Sequence, residues 1–467
     1  MTAPDALTPE GLTPLLRERL GPEARCRSVV RGPLGNGQET WFVEVEGAGP
    51  PGGLVLRRSA EGGTLPWTDR AAEFAVLRAV GSHGLPVPAA LWLEDEPSSL
   101  GRAYFVMERA RGEPLGRADA GARRAVATQL GQVLARLHRL PQEGLAPAAA
   151  RPADGPAGAR AELARWGARY EAVRPPGVPM LGALLAWLEG SVPLEPAPAV
   201  LLWGDPGPHN VLVEGARVSA LLDWELSHVG HPLDDLGAAV WACAGALDPE
   251  LVVRAYAEAG GGAVDRGALA WFECLACASR SVMLLAGNRA YAEGRTARPA
   301  IAGLGLELLA SNLERAARAA GWPQAPPAEA PPAVGPAAGP SPTGPEIARG
   351  VGRFLAEEVL PALDDRALRQ GVKVAAALAE TAALRAEIEP AVAARREAAD
   401  RALLAELDGA GVEAPGLEAA AVRVEREEAL AGWRPRVRAH LVADLALSRT
   451  LIAPLHRLYA PRGDRPG

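Results

Sequence analysis

Short apolar runs separated by Gly and Pro fill the first hundred residues. Trp41–Val45, Gly53–Leu56 and Tyr104–Met107 alternate as the strands of a small antiparallel sheet do. One helix interrupts them: from Asp69 to Val80 the residues Ala72, Val76, Leu77 and Val80 recur near helical spacing, with Glu73 on the same side. Beyond Gly112–Pro114 the period changes, and Val126, Leu130, Val133, Leu134 and Leu137 share one face of a helix over 123–140. Residues 145–160, rich in Pro, Ala and Gly, read as a loop, after which 161–170 and 181–188 resume helical patterning. Val211–Val213, a Glu214-Gly215 turn and Val218–Leu222 form a short hairpin. Helices between Ala238 and Ala316 then carry Trp241, Tyr256, Trp271 and Phe272, enough apolar surface to close a second lobe.

Nearly every residue from 323 to 345 is Pro, Ala or Gly, a composition that behaves as an extended spacer. Past it, 346–360, 366–388, 391–407 and 419–459 are rich in Ala, Leu, Arg and Glu with few breakers, so a small helical bundle is expected. A chain of 467 residues exceeds one typical domain. The boundaries expected are an N-lobe at 1–110, a helical C-lobe at 111–322, a linker at 323–345 and a helical accessory domain at 346–467.

The chemistry concentrates between Trp203 and Asp235. Asp205, an Asn five residues on at Asn210, and Asp223 at the end of the hairpin reproduce the catalytic-loop layout of eukaryotic-type kinases. Phosphoryl transfer needs mainly positioning and a held metal. Asp205 would accept the proton of the attacking hydroxyl or orient it, and Asn210 and Asp223 would offer the hard oxygen ligands that Mg²⁺ prefers. Each residue alone reads equally as a turn or cap residue. The set, with Gly204 before it and Asp235 after it, points to a kinase whose donor is ATP.

The nucleotide would be gripped by the first lobe. Leu34-Gly35-Asn36-Gly37 is a glycine-bearing turn that serves either as a phosphate cradle, through Gly35, Asn36 and Gly37, or simply as a hairpin turn. Leu54-Val55-Leu56-Arg57 stands where a kinase strand carries Val-Ala-Ile-Lys, with Glu73 as the acid that would pair with it. Alternation along a strand turns Val55 and Arg57 to the nucleotide and Leu56 and Arg58 away. Arg57 is bulkier than lysine, and a surface Arg–Glu pair is the other reading. Met107 and Glu108 sit where an interlobe hinge would read an adenine edge; a buried edge strand explains them as well.

Net charge is −7, from 56 Asp+Glu against 49 Lys+Arg, which argues against a general grip on nucleic acid. Every cation but Lys373 is arginine. The N-terminal residues lack the uninterrupted apolar core of a secretory signal, and no run approaches eighteen apolar residues free of charge. No membrane span and a cytoplasmic location are therefore the expectations. Cys26, Cys243, Cys274 and Cys277 form no regular framework and read as buried thiols.

The blocks LGNGQETWFVEV, LVLRRSAEG, AAEFAVLRAV, GLPVPAALWLEDEPSSLGRAYFVMERARGEPL, WGDPGPHNVLV and ALLDWELSHVGHPLDDLG resemble the aminoglycoside phosphotransferase-like (choline kinase-type) family. More narrowly they are similar to its branch associated with acyl-CoA dehydrogenases, in order over roughly residues 25–320. The resemblance implies an α+β, bilobal protein-kinase-like fold, Mg-ATP as donor and the hydroxyl of a small molecule as acceptor, with a hydroxyacyl thioester the acceptor that the branch implies. It also implies that Arg is usual at position 57. The family usually has His where Trp203 stands, so an orienting hydrogen bond to the loop would be lost or replaced by indole packing. Asp235 and His138 match positions that stabilise rather than react, and the tail resembles a helical domain found with such kinases, a docking module for a protein partner. An antibiotic kinase is a variant of the same class. A pseudokinase scaffold is the reading of a different class, favoured by Arg57 and Trp203 and disfavoured by Asp205, Asn210 and Asp223.

Overall fold

A computed structural model describes residues 7–459 apart from 33–37, 48, 51–52, 61–66, 118, 142–150, 174–177, 297 and 325–342. The Gly35-Asn36-Gly37 turn and most of the expected 323–345 linker therefore lie outside the described residues.

The chain opens with helix α1 (Pro9–Leu20), then strands β1 (Arg25–Arg31), β2 (Gln38–Glu46) and β3 (Leu54–Ser59), helix α2 (Arg70–Ser82), and strands β4 (Ala90–Glu94) and β5 (Tyr104–Glu108). The strands form one antiparallel sheet in the order β1-β2-β3-β5-β4. Side-chain alternation gives the sheet two different faces. Leu54, Leu56, Trp41, Tyr104 and Val106 share an apolar cluster with Leu12, Leu15 and Leu16 of α1. On the other face Phe105 meets Phe74 of α2 at a 6.0 Å ring separation, and Arg57 points the same way. The sequence pattern gave a single helix here. α1 is the second, started by Thr8, whose hydroxyl accepts from Gly11 N at 3.1 Å, and by Pro9 in the first turn, where its missing N–H costs nothing.

Next come β6 (Glu113–Pro114), α3 (Ala120–His138), α4 (Gly155–Val173), α5 (Pro179–Gly190), β7 (Val200–Leu202), β8 (Val211–Glu214), β9 (Arg217–Leu221) and β10 (His228–Gly230). Helices α6 (Pro232–Cys243), α7 (Pro249–Tyr256), α8 (Arg266–Ala292) and α9 (Pro299–Ala319) follow, then α10 (Gly344–Phe354), α11 (Arg366–Gly409), α12 (Leu417–Arg426), α13 (Arg434–Thr450) and α14 (Ala453–Tyr459). α4 begins inside the stretch expected to be a loop. Asp154 starts it by accepting from Ala157 N at 2.7 Å. The hairpin expected over 211–222 is β8 paired with β9, joined by Gly215 at φ 62°.

By internal contacts the chain divides into two compact units, residues 1–159 with 194–272, and residues 160–193 with 273–467. In the first, α3 crosses α7 so closely that a Cβ on Gly131 would come 2.2 Å from the Val252 carbonyl, which restricts that position to glycine. In the second, the helices that follow the Pro/Ala/Gly stretch pack on α5 and α9. The Tyr170 hydroxyl donates to Glu418 (2.8 Å), Arg426 meets Glu189 (2.9 Å), Arg449 meets Glu314 (2.8 Å), and Arg438 lies 5.1 Å from the Trp322 ring centroid. α11 runs unbroken through Pro390, where two helices were expected. Ile388 and Val392, on either side of the proline, are buried against Leu451, and that packing offsets the lost backbone hydrogen bond.

α8 is long and apolar enough to cross a membrane by length and composition, yet 72% of its apolar window is buried within the structure. Cys274 and Cys277 lie in it. All four cysteines are buried, and burial pushes the Cys277 thiol up to about 12.

Candidate active site

The β8–β9 hairpin places the kinase-like residues. Pro208–Asn210 form a single 3-10 turn that leads into β8, and the Leu222 N–H donates to the Asn210 carbonyl at 2.8 Å, which sets Asp223 one residue beyond a fixed anchor. Asn210 Nδ2 donates to Asp205 Oδ2 (2.8 Å) and to the Asp205 carbonyl (3.1 Å). His209 Nε2 lies 3.0 Å from the same Asp205 oxygen. Because the Asn210 amide nitrogen is spent on Asp205, its oxygen is the donor left for a hard cation.

Asp223 has φ 61°, the single non-glycine residue with positive φ among the described residues, a conformation costing about 1–3 kcal/mol. Two indoles hold the backbone leading into it. Trp203 Nε1 donates to the Leu222 carbonyl at 2.9 Å, Trp224 Nε1 donates to the Leu221 carbonyl at 3.2 Å, and the two rings stack at 5.6 Å with 25° between planes. The expectation for Trp203 was a lost bond or packing in its place. The indole supplies both packing and a hydrogen bond, because its N–H reaches the carbonyl just before Asp223.

Asp235, at the start of α6, braces the loop from behind. Its carboxylate accepts from Trp203 N and Gly204 N, both at 2.8 Å, and sits 3.1 Å from His138 Nε2, whose Nδ1 is 2.9 Å from the Tyr256 hydroxyl. Gly204 is required at this bend: its φ is 85°, and a Cβ would fall 2.3 Å from the Leu226 carbonyl. The other two histidines of the region are also engaged. His228 Nε2 lies 3.3 Å from Asp234, and His231 Nδ1 accepts from Leu233 N at 3.1 Å to cap α6. Burial, with His138 nearby, pushes the His231 imidazole down to about 4.

Arg57 joins the sheet to this loop. Its guanidinium lies 3.2 Å from Glu73, 2.8 Å from Asp223 Oδ1 and 3.8 Å from Glu225, and its Nε donates to Gln38 Oε1 at 3.3 Å. Arg70 pairs with Glu73 and lies 3.4 Å from Glu225, which also accepts from Gln38. Burial alone would lower the Arg57 pKa, but Glu73, Asp223 and Glu225 raise it further than burial lowers it. Burial raises Glu73 against the pull of Arg57 and Arg70, and burial together with Asp223 pushes Glu225 up to about 8. Asp223, at 35% exposure the most open of the three acids, and the Asn210 amide oxygen are the hard donors that suit a divalent cation.

Gln38, Arg70 and Glu225 were not singled out from the sequence. The signals were there: Arg70 stands three residues before Glu73 on one helix, and Glu225 two residues after Asp223. Met107 and Glu108 occupy an interior strand, since β5 lies between β3 and β4, and so the edge-strand reading is corrected. The Glu108 N–H donates to the Ala89 carbonyl (2.9 Å) and the Arg109 N–H to the Gly53 carbonyl (3.0 Å), so those two donors are already used.

A match to the phosphotransferase enzyme family, APH, covers residues 29–272. Acyl-CoA dehydrogenase family member 11 of Gallus gallus is 30% identical over 223 residues, 46% of this chain and 28% of that protein. Its counterpart in Rattus norvegicus is 32% identical over 190 residues, 39% of this chain and 24% of that protein. The chain thus spans about a quarter of the length of these relatives. A Ralstonia eutropha structure assigned as an aminoglycoside phosphotransferase has a TM-score of 0.53 at 20% identity, over 67% of this chain and 98% of that one, and shares the fold. A β-rich first part carrying an Arg–Glu pair, a helical remainder and an Asp-x₄-Asn hairpin ending in Asp together have one explanation: the chain belongs to the APH phosphotransferase enzyme family and has its protein-kinase-like fold.

Proposed function

We propose that this small-molecule phosphotransferase moves the γ-phosphoryl group of ATP to the hydroxyl of a hydroxyacyl thioester. The observation that carries the reading is the hydrogen bond between Asp205 and Asn210 (2.8 Å) on the hairpin whose far end is Asp223. Asp205 takes the proton of the attacking hydroxyl, or orients it, and the Asn210 amide and the His209 ring hold its carboxylate in place. Asn210 and Asp223 are the ligands for Mg²⁺, which when bound supplies charge neutralisation on the phosphate oxygens. Arg57, steered by Glu73, offers its planar fork to the same phosphates.

The acceptor class is drawn from the relatives, which are named for acyl-CoA dehydrogenases. A polycationic antibiotic is the weaker acceptor reading. Of the acids after Asp235, Asp248 caps α7 by accepting from Glu250 N (3.0 Å), and Glu250 is bridged by Arg266 at 2.9 and 2.6 Å. The third, Glu258, lies 4.0 Å from Arg254, and the three do not make the dense acidic cluster that a polycation calls for. A pseudokinase reading draws on one contact, the 2.8 Å bond that ties Arg57 to Asp223. Incubation with Mg-ATP and a panel of hydroxyacyl thioesters, simple alcohols and aminoglycosides, followed by mass detection of an added phosphate, separates the three. Transfer to a thioester supports the proposal, transfer to an aminoglycoside alone replaces its acceptor, and ATP binding without transfer to any acceptor favours the scaffold.

A further inference from the structure

Helix α10 is amphipathic in the reverse sense for a helix that packs on its neighbour. Thr343 and Glu346 close a capping box at its start, with Glu346 accepting from Thr343 N at 2.7 Å. The face turned to α11 is small and polar. Gly352 is buried, a Cβ there would lie 3.1 Å from the Ala376 carbonyl, and Arg349 pairs with Glu387 of α11 at 2.6 Å. The large apolar side chains point the other way: Ile347, Val351 and Phe354 are 54%, 49% and 58% exposed. Their spacing of four and three residues puts all three in one stripe. Leu368, near the start of α11, is also exposed at 54%. Four of the eight large hydrophobic residues exposed among those described thus fall within 22 consecutive positions, 347–368. A stripe of this kind marks a contact surface.

We infer that the Ile347–Val351–Phe354 face of α10 docks a basic amphipathic helix of a partner protein. Charge selects the occupant. Glu346 stands at the head of the stripe, Glu357 and Glu358 follow in the next turn, and Asp364 and Asp365 lie beyond, all exposed. Arg353 is the exposed cation among them. A two-fold pairing with a second copy would set this acidic rim against itself, on a chain of net charge −7, and an anionic lipid surface would be repelled in the same way. Residues 325–342 of the same chain contain no Lys or Arg and so do not supply the complement. Three anchors at i, i+4 and i+7 are the pattern by which one amphipathic helix recognises another, and basic flanks on the partner would meet the carboxylates.

The test uses the full-length chain and two labelled 18-residue peptides of the same leucine stripe, one flanked by lysines and one by glutamates, followed by fluorescence anisotropy. The expected result is binding of the lysine peptide that weakens as salt is raised and is at least about tenfold tighter than binding of the glutamate peptide. Val351→Asp with Phe354→Asp should abolish it by about tenfold or more while thermal unfolding stays unchanged, since both side chains are exposed. Glu357→Lys with Glu358→Lys should reverse the preference between peptides. Equal binding of both peptides, wild-type affinity in the aspartate variant, concentration-dependent self-association that the aspartate variant cures, or capture by anionic vesicles would each overturn the inference.

Discussion

Replacing Arg57 is the sharpest probe of how the site is held, because that side chain joins the sheet, helix α2 and the segment around Asp223 at once. Its guanidinium is 10% exposed and touches Glu73, itself 1% exposed, at 3.2 Å, Asp223 at 2.8 Å and Gln38 at 3.3 Å. Arg57→Met removes the positive charge and leaves the buried Glu73 with Arg70 as its remaining cation. Breaking a buried ion pair from one side costs about 3–5 kcal/mol. The contact with Asp223 adds less, since that carboxylate is 35% exposed and screened by water. For a unit of this size each kcal/mol is worth about 2–4 °C, so unfolding should fall by roughly 6–20 °C. Arg57→Lys keeps the charge but presents one point where the fork made three contacts, and should lose about 1–2 kcal/mol. Adding Glu73→Gln to Arg57→Met should recover part of the loss, which a double-mutant cycle measures as an interaction of about 1–3 kcal/mol. Differential scanning calorimetry of the wild type, Arg57→Met, Arg57→Lys, Glu73→Gln and the double variant reads all of this. An Arg57→Met protein that melts with the wild type, or strictly additive single and double variants, would refute the reasoning.

Three further outcomes follow from single contacts. Trp203→Phe keeps the stack on Trp224 but strands the Leu222 carbonyl, a loss of about 1–3 kcal/mol that bears on the Asp223 backbone; the Mg²⁺ concentration for half-maximal turnover should rise roughly tenfold, and an unmoved metal titration would contradict it. His231 is held well below its ordinary value, at about 4, so the unfolded chain binds the proton that the folded chain refuses. Its stabilisation is full above about pH 6.5, falls as pH drops through that value, and is lost by about pH 4, for a total of about 3 kcal/mol; urea midpoints from pH 7.5 to 5 should drop in the wild type, and His231→Asn, which keeps a capping oxygen, should flatten that slope. Gly204→Ala forces a Cβ to within 2.3 Å of the Leu226 carbonyl at positive φ, and should cost roughly 2 kcal/mol or more in a denaturant titration together with most of the turnover.

How far the sequence could be read depended on whether the information was local. The hairpin from Val211 to Leu221 and the side to which Arg57 turns were legible, because strand alternation and turn residues are set by neighbours in sequence. The path of α11 through Pro390 was not, since a proline inside a helix is tolerated only by packing from Leu451, sixty-one positions later. Nor was the second hydrogen-bonded role of Trp203, whose partner carbonyl is brought close by the hairpin rather than by adjacency. Gln38 belongs with them: its partner Glu225 stands 187 positions away, and the two meet only once β2 and the Asp223 segment are folded.

The most direct test of the central claim, that Asp205 activates a hydroxyl beside a cation held by Asn210 and Asp223, is the rate of phosphoryl transfer from Mg-ATP to the acceptor found by mass detection, in the wild type and in Asp205→Ala. General-base loss should slow the variant by about 10²- to 10⁴-fold while Mg-ATP still raises its melting temperature as it does that of the wild type. Transfer by Asp205→Ala at the wild-type rate would contradict the account.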